Sequence, residues 1–344
     1  MEGSEGPIMA SIIPVLNEEK YIGACLDSLI NQSLDSSSHI VMVLDGGSSD
    51  NTTGIVNQYI SKSNEIGGPK IILLNNPGRY VAEARNMALN NLPSSISFII
   101  ELIGHCTVPT DHLEKRLEVW NSLENNSDRN IGALGVKVLP SSEGKTMIET
   151  WIESALSSKF GSGSGQFDNF SSTSKTKVPA FSMHSRNAVD SIDGWDNNFI
   201  TSQDSDLSMR LMKGGYDLYR TDETYVNMVK RSGFSSWLKM GYRYGFWRTK
   251  IIRKHRDRVS KREFLPWLGL LVTLGLIIAG SEFWYFPIII YSIVLLAEGI
   301  SFSVKWKNFS LIIGLPICLI SLHATFSLGL LMGNFRKGKA SNDR

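Results

Sequence analysis

Residues Met9–Asp27 have the sequence MASIIPVLNEEKYIGACLD, and residues Val41–Thr52 have the sequence VMVLDGGSSDNT. The first stretch predicts a buried strand that breaks at Pro14 and delivers Glu18 to its carboxyl end. The second predicts another strand that ends at Asp45, before a tight glycine turn. In an open α/β sheet, ligands bind beyond the carboxyl ends of the strands. The two strand ends therefore predict a nucleotide pocket lined by acidic groups.

Predicted strands and helices alternate through the soluble part of the chain. Short apolar runs with strand character cover 11–15, 39–44, 70–74 and 96–103. Helices are predicted over 19–31, 51–59, 81–91 and 205–213. This alternation predicts an α/β fold with a mostly parallel sheet and helices on both faces.

The C-terminal quarter has a different composition. Three apolar runs, over 265–280, 283–304 and 309–333, hold few formal charges. An α-helix rises about 1.5 Å per residue and needs about 20 residues to cross a hydrocarbon core, so the first run is marginal and the other two are long enough. We therefore predict about three transmembrane helices within 264–333, against the alternative of buried core helices in a soluble domain.

A basic segment, 248–263, lies directly before these runs. Positive charge beside a membrane span marks the cytosolic side and can bind anionic headgroups. The net charge of +2 and the adjoining apolar runs argue against a nucleic-acid surface. The tail, 334–344, is also basic. Three crossings, which we favour, would place it outside, whereas two crossings plus a surface-lying or re-entrant segment would keep it inside.

The chain starts with MEGSEGPIMA, which is acidic and glycine-rich and precedes only a short apolar run, so no signal peptide is predicted. We expect residues 1–247 to form a cytosolic domain that is anchored in the cell membrane. Cys25, Cys106 and Cys318 lack the spacing of a disulfide framework or a zinc site.

Four motifs occur in order: PVLNEEKYIGACLDSL, VLDGGSSDNT, GRYVAEARNMAL and GWDNNFITSQDSDLSMRLMKGGYDL. Together they resemble the family-2 inverting glycosyltransferases, which have the GT-A fold. KFGSGSGQF at 159–167 and the pair Gln203-Asp204 are similar to the succinoglycan-biosynthesis type. The resemblance implies a membrane enzyme of polysaccharide or glycoconjugate biosynthesis that uses a nucleotide-diphosphate sugar.

Several residues are candidates for binding this donor. Short acids at strand ends can accept hydrogen bonds from a base and a ribose, which is the role we expect for Glu18 and Asp45. Asp45 could instead only form the turn before Gly46. Arg85 resembles the family arginine that reaches the nucleotide, although it could be a solvated helix residue. The full predicted donor-binding set is Pro14, Glu18, Asp45, Gly78, Arg85, Gln203 and Arg243.

The resemblance also implies a divalent cation, Mg²⁺ or Mn²⁺, but the expected ligands are altered. Relatives carry an acid, one spacer, and an acid or histidine after the fourth strand. Here His105 fills the second place and the apolar Ile103 fills the first. Glu101 lies two residues earlier, so we expect it on the same strand face, where it could lend its carboxylate. Alternatively, His105 only ends the strand and Glu101 pairs with a nearby cation.

The catalytic candidate is Asp204. Inverting transfer needs a base that removes the acceptor hydroxyl proton, and the resemblance assigns this role to the Asp of Gln203-Asp204. Asp204 could alternatively cap the helix that follows. The Ser- and Gly-rich stretch 157–177 is expected to be a loop that closes over the sugar, or a plain linker.

Arg243 lies in a segment that vaguely resembles the Gln-x-x-Arg-Trp signature of processive synthases, with Met240 and Tyr244 in place of Gln and Trp. It could neutralise the leaving diphosphate or begin the basic stripe. The sequence thus predicts transfer of a sugar from a cytosolic nucleotide donor to a lipid-linked or glycan acceptor. The competing hypothesis is a non-catalytic nucleotide-sugar-binding or scaffold subunit of an assembly complex.

Overall fold

The computed structural model describes residues 6–127, 129–140, 146–161, 170–229, 233–336 and 338. These residues form two compact units. The sheet unit comprises 6–127, 129–140 and 170–229, and the helical unit comprises 146–161, 233–336 and 338. The predicted domain boundary at 247 falls inside a helix of the helical unit. Residues 162–169 of the predicted Ser- and Gly-rich loop, 157–177, lie outside the described residues, as do most residues of the tail.

The described strands are β1 Met9–Val15, β2 His39–Asp45, β3 Lys70–Asn75, β4 Phe98–Glu101, β5 Cys106–Thr107, β6 Ile131–Pro140, β7 Ser174–Lys175, β8 Met183–Ser185 and β9 Asp217–Met228. The helices are α1 Ile22–Ile30, α2 Thr52–Ile66, α3 Val81–Asn91, α4 His112–Asn126, α5 Met147–Ser157, α6 Arg186–Asp190, α7 Gln203–Lys213, α8 Phe234–Lys254, α9 Leu265–Ile278, α10 Phe286–Trp306 and α11 Leu311–Phe335. Short 3₁₀ turns cover Ser36–Ser38, Arg256–Arg258 and Lys261–Phe264.

The strands form one mixed sheet in the order β3-β2-β1-β4-β8-β6-β9-β5, with β7 paired to β9. The predicted parallel arrangement holds for β1 to β4. Beyond them, β8 runs antiparallel to both β4 and β6. The chain moves from β1 to one side of the sheet and returns to the other side with β4. At such a reversal, here between the carboxyl ends of β1 and β4, open α/β sheets bind their ligands in a crevice.

Side chains alternate across β1 and pack into two core clusters. One cluster joins Ile13 to residues of α1 such as Leu26. The other joins Ile12 to residues of α3 such as Ala88. Because successive strand residues point to opposite faces, a central strand covered on both sides is apolar throughout. The expected helices on both faces of the sheet are therefore present.

The expectation that Glu101 and Ile103 share a strand face was wrong. Strand β4 ends at Glu101, so the two-residue alternation does not continue to Ile103. Ile103 packs against the cluster that contains Ile13. The carboxylate of Glu101 instead contacts Trp195, which belongs to the opposite cluster.

Two helices of the helical unit, α10 with 21 residues and α11 with 25, are long and apolar enough to cross a membrane. Helix α9 has 14 residues, so it is about 21 Å long and shorter than a hydrocarbon core of about 30 Å. Helices α10 and α11 run antiparallel, with the Tyr291 hydroxyl 2.7 Å from Nδ1 of His323. Large apolar side chains such as Ile278, Ile293 and Ile313 are exposed along these helices. A soluble core would bury them, so this exposure favours contact with lipid.

Helix α8 runs parallel to the second half of α11. Near its start, Trp237 Nε1 donates to the Cys318 carbonyl at 3.0 Å. Near its end, Lys250 Nζ donates to the Arg336 carbonyl at 2.6 Å. The beginning of the basic tail therefore lies beside the basic end of α8.

Candidate active site

The end of β1 shows why a proline is tolerated in a central strand. Pro14 pairs with Leu44 of β2. On the other side, β4 makes its last bond to β1 when the Leu102 amide donates to the Ile12 carbonyl at 3.1 Å. Since β4 has ended, the missing N–H of Pro14 leaves no partner unsatisfied there. Asn17 then adopts a φ of 57°, which turns the chain toward Glu18.

Glu18 and His105 meet where the crevice between β1 and β4 opens. Glu18 Oε1 lies 2.8 Å from His105 Nδ1, and both side chains are partly exposed. Gly104 permits this approach, because a Cβ there would lie 2.9 Å from Cγ of Glu18. The Val229 amide, which follows β9, donates to the His105 carbonyl at 3.0 Å and fixes the loop. Two predicted site residues are thus brought together, although they had been expected to have separate roles.

Asp45 is largely occupied by its own turn. Its carboxylate accepts hydrogen bonds from the amides of Gly47 and Ser48, at 3.2 Å and 3.1 Å, and from the Ser48 hydroxyl at 2.5 Å. The side chain is 7% exposed. This geometry matches the alternative role as a turn residue, and donor binding by Asp45 stays a prediction.

Gly78 lies in the turn before α3. A Cβ at this position would lie 2.5 Å from Oε2 of Glu83, the carboxylate oxygen that accepts from the Tyr80 amide at 3.3 Å. Glycine is therefore required for the N-terminal cap of α3. A contact between Gly78 and the donor stays a prediction.

Arg85 and Glu101 form a buried ion pair. Arg85 Nη1 lies 3.1 Å from Glu101 Oε1, and each residue is 5% exposed. The same oxygen accepts from Trp195 Nε1 at 3.0 Å, and His184 Nε2 lies 3.3 Å away. Burial acts to raise the pKa of Glu101, but the charges of Arg85 and His184 outweigh it and lower the pKa to about 2. The carboxylate is therefore ionised at neutral pH.

This ion pair changes two expectations from the sequence. The Glu101 carboxylate is committed to Arg85 and Trp195, which argues against its predicted role as a metal ligand. The Arg85 guanidinium faces Glu101 in the core, which argues against the predicted contact with the nucleotide. The alternative pairing of Glu101 with a nearby cation matches the structure.

The remaining metal candidate is His105. Among the described ranges, no group of three or more His, Cys, Asp and Glu side chains could hold a metal ion. His105 has Glu18 as its partner, and Ile103 packs in the core. These residues do not fit a cation held by protein side chains alone, so no chemical step below depends on one.

Asp204 lies in the first turn of α7. The helix starts after Ser202, whose φ of 66° is rare for a residue other than glycine. Asp204 is half-buried, and its Oδ1 accepts from the Ser205 amide at 2.7 Å. The amide oxygen of Gln203 is buried and accepts no hydrogen bond from any described residue. Asp206 is fully buried and binds Arg210 Nε at 2.8 Å, which is a structural contact.

Arg243 lies in α8 and thus in the helical unit, whereas the other predicted site residues lie in the sheet unit. Its guanidinium carbon lies 5.9 Å from the ring centre of Tyr244. Sequence reasoning missed Trp195 and His184, which complete the surroundings of Glu101. The position of Trp195 inside the motif GWDNNF was the available signal.

Comparison with known proteins gives matches over almost the whole chain. The model of Glycosyl transferase family 2 matches residues 11–154, and that of Glycosyl transferase family group 2 matches residues 106–332. The chain is 25% identical over 298 residues to the succinoglycan biosynthesis protein ExoA of Rhizobium meliloti, covering 86% of each protein.

A second relative is the dolichyl N-acetyl-alpha-D-glucosaminyl phosphate 3-beta-D-2,3-diacetamido-2,3-dideoxy-beta-D-glucuronosyltransferase of Methanococcus voltae. It is 27% identical over 327 residues, which cover 94% of this chain and 95% of the relative.

Among solved structures, a mannosyltransferase of Pyrobaculum calidifontis in complex with GDP-Man and Mn²⁺ is similar in fold, with a TM-score of 0.56 and 16% identity. The alignment covers 94% of this chain and 87% of that one. The predicted GT-A fold and the resemblance to the succinoglycan-biosynthesis type are confirmed. The chain belongs to the family-2 glycosyltransferases and is a glycosyltransferase.

Proposed function

We propose that this glycosyltransferase moves a sugar from a nucleotide-diphosphate donor to a lipid-linked acceptor, with inversion at the anomeric carbon, while attached to a membrane. The observation that carries the proposal is the contact between Glu18 and His105, which lies beyond the carboxyl ends of β1 and β4. Polar groups that converge at such a strand reversal are typical of nucleotide sites.

The donor and acceptor classes draw support from the relatives. The mannosyltransferase structure contains GDP-Man, and the name of the Methanococcus protein specifies a dolichyl phosphate sugar. A glycan carried on a polyprenyl phosphate is therefore the acceptor class we propose, and one of its sugar hydroxyls is the group that is glycosylated. A divalent cation remains a prediction supported by the Mn²⁺ of the mannosyltransferase structure.

In the proposed reaction, Asp204 accepts the proton of the acceptor hydroxyl. The hydroxyl oxygen forms a bond to the anomeric carbon while the bond between that carbon and the diphosphate oxygen breaks. The nucleoside diphosphate leaves with the bonding electron pair, and attack from the opposite face inverts the configuration. General-base catalysis of this kind contributes roughly 10²- to 10⁴-fold to a rate.

The composition of the helical unit supports the proposed attachment to a membrane. Its exposed apolar residues lie on α9, α10 and α11, and the cations Arg253 and Lys254 lie at the end of α8. Apolar surface next to a cluster of cations suits a leaflet with anionic headgroups. We propose that the sheet unit faces the cytosol, where nucleotide sugars are made.

The test is sugar transfer by the full chain in detergent or lipid nanodiscs. Radiolabelled nucleotide sugars are offered with a monosaccharide carried on a polyprenyl phosphate, whose sugar hydroxyls can accept the transferred sugar, with and without Mn²⁺. We expect Asp204→Asn to reduce transfer at least 100-fold. Asp190→Asn, which removes an exposed partner of Arg186, is the matched control and should leave transfer unchanged. Equal rates in all three proteins would contradict the assignment of Asp204, and absence of transfer by the unmodified chain would favour the non-catalytic alternative.

A further inference from the structure

The segment between α6 and α7, residues 191–202, connects the core of the sheet unit to Asp204. It is held at three points. Asn86 of α3 binds the Trp195 backbone twice, since Nδ2 donates to the carbonyl at 2.7 Å and Oδ1 accepts from the amide at 2.9 Å. Arg210 of α7 donates to the carbonyls of Ile192 and Gly194, at 2.6 Å and 2.7 Å.

The third point is the Trp195 side chain itself. Its indole N–H donates to Glu101 at 3.0 Å, and the Arg85 guanidinium carbon lies 5.6 Å from the ring. Trp195 is 2% exposed. Burying a charged pair costs free energy that its mutual attraction offsets only when the geometry is good, so such pairs are weak evidence of stabilisation. Because Glu101 also accepts the hydrogen bond from Trp195, the ion pair has a second role, which is to hold the indole in place.

We propose that the Arg85–Glu101 pair is a positioning device that acts on Asp204 through Trp195. Glu101 lies at the end of β4, next to the crevice, and fixes the indole. The indole fixes the middle of the 191–202 segment, which leads into the strained Ser202 and the first turn of α7. The inference rests on the proposed function, because it assumes that Asp204 is the base.

A helix start that is held by a rigid core can place a carboxylate to within a fraction of an ångström. Misplacement by about 1 Å can cost roughly 100-fold in rate, even when the mutated residue is far from the chemistry. Trp195 is therefore a positioning residue, and it touches neither substrate nor the reacting atoms in this account. Its loss should lower kcat and leave donor binding unchanged.

The chain contains a matched control. Trp120 is also buried, at 1% exposure, and its Nε1 donates to Glu124 at 2.8 Å within α4. Trp120→Phe and Trp195→Phe each delete one indole N–H and keep an aromatic ring in place. Trp195→Phe should lower the Tm more than Trp120→Phe, because Glu101 is buried whereas Glu124 is exposed and its oxygen can bind water instead.

The experiment measures kcat, the donor KM, donor Kd and Tm for the full chain and both variants. We expect Trp195→Phe to lower kcat 10- to 100-fold with unchanged donor Kd, and Trp120→Phe to leave kcat unchanged. Equal kcat values for the two variants, measured well below both Tm values, would overturn the proposal. A Trp195→Phe defect that is confined to the donor Kd would overturn it too. Both outcomes require an active unmodified chain. If the unmodified chain transfers no sugar, the proposed function fails before the two variants are compared.

Discussion

The sheet unit and the helical unit are stabilised in opposite ways. The sheet unit buries charged side chains beside groups of opposite charge, as it does Arg85 and Glu101. The helical unit brings glycine-bearing helices into close backbone contact and leaves large apolar side chains exposed. The difference is what we expect if the helical unit lies in a membrane, as proposed above. In water, apolar burial drives folding, whereas in lipid, helices associate mainly through close packing of small residues.

The substitution with the largest expected effect on stability changes a glycine at which α11 packs against α8. A Cβ at Gly329 would lie 2.1 Å from the Tyr242 carbonyl oxygen, which is a backbone atom that a side-chain rotation cannot move. We expect Gly329→Ala to force the helices apart and to lower stability in detergent by about 3 kcal/mol. Thermal unfolding of the full chain in micelles measures this.

Gly275→Ala in α9 is the matched control. A Cβ there meets nothing within 4 Å, so the substitution should be neutral or slightly stabilising because alanine is the better helix former. Equal unfolding temperatures for Gly329→Ala and Gly275→Ala would mean that close backbone packing does not hold the helical unit together.

A smaller effect should distinguish the sheet unit from the helical unit. The free energy of unfolding of the sheet unit should depend on pH, because two of its histidines are buried. Burial lowers the pKa of His39 to about 3, and burial together with the Arg116 charge places the pKa of His112 well below its usual value. The unfolded chain binds a proton on each imidazole below a pH of about 6.5, whereas the folded sheet unit does not. Stability is therefore complete above this pH and falls as the pH decreases toward 3.

Each imidazole should lower the free energy of unfolding by about 1.4 kcal/mol for each pH unit below 6.5. Urea unfolding of the full chain between pH 7.5 and 5.5 measures the loss. His39→Gln should remove about half of the pH dependence, while a substitution at the exposed Lys115 should leave the slope as it is. If His39→Gln leaves the slope of unfolding free energy against pH unchanged, His39 has the same pKa in the folded and the unfolded chain.

The sequence predicted most of the fold near the site because its signals are local. Alternating apolar runs and glycine turns placed β1 to β3 within two residues of their observed limits, and helix α3 was predicted with its observed limits. The antiparallel β8, between β4 and β6, has three residues and carries no comparable pattern. Its place depends on pairing between distant segments, which periodicity cannot reveal.

The candidate site was predicted less well than the fold, because the roles of its residues depend on partners that are distant in sequence. The contact between Glu18 and His105 joins residues 87 positions apart, and that between Glu101 and Trp195 joins residues 94 apart. The prediction placed Glu101 on the wrong face because it extended the strand to residue 103, whereas β4 ends at Glu101. The motifs identified the family, whereas the partners of each side chain came only from the folded chain.

The central claim is that this chain transfers sugar by direct displacement at the anomeric carbon. The most direct test is the anomeric configuration of the first product, read by NMR from the coupling constant of the anomeric proton. With a donor in the α configuration, we expect a β-linked product. An α-linked product from the same donor would contradict it.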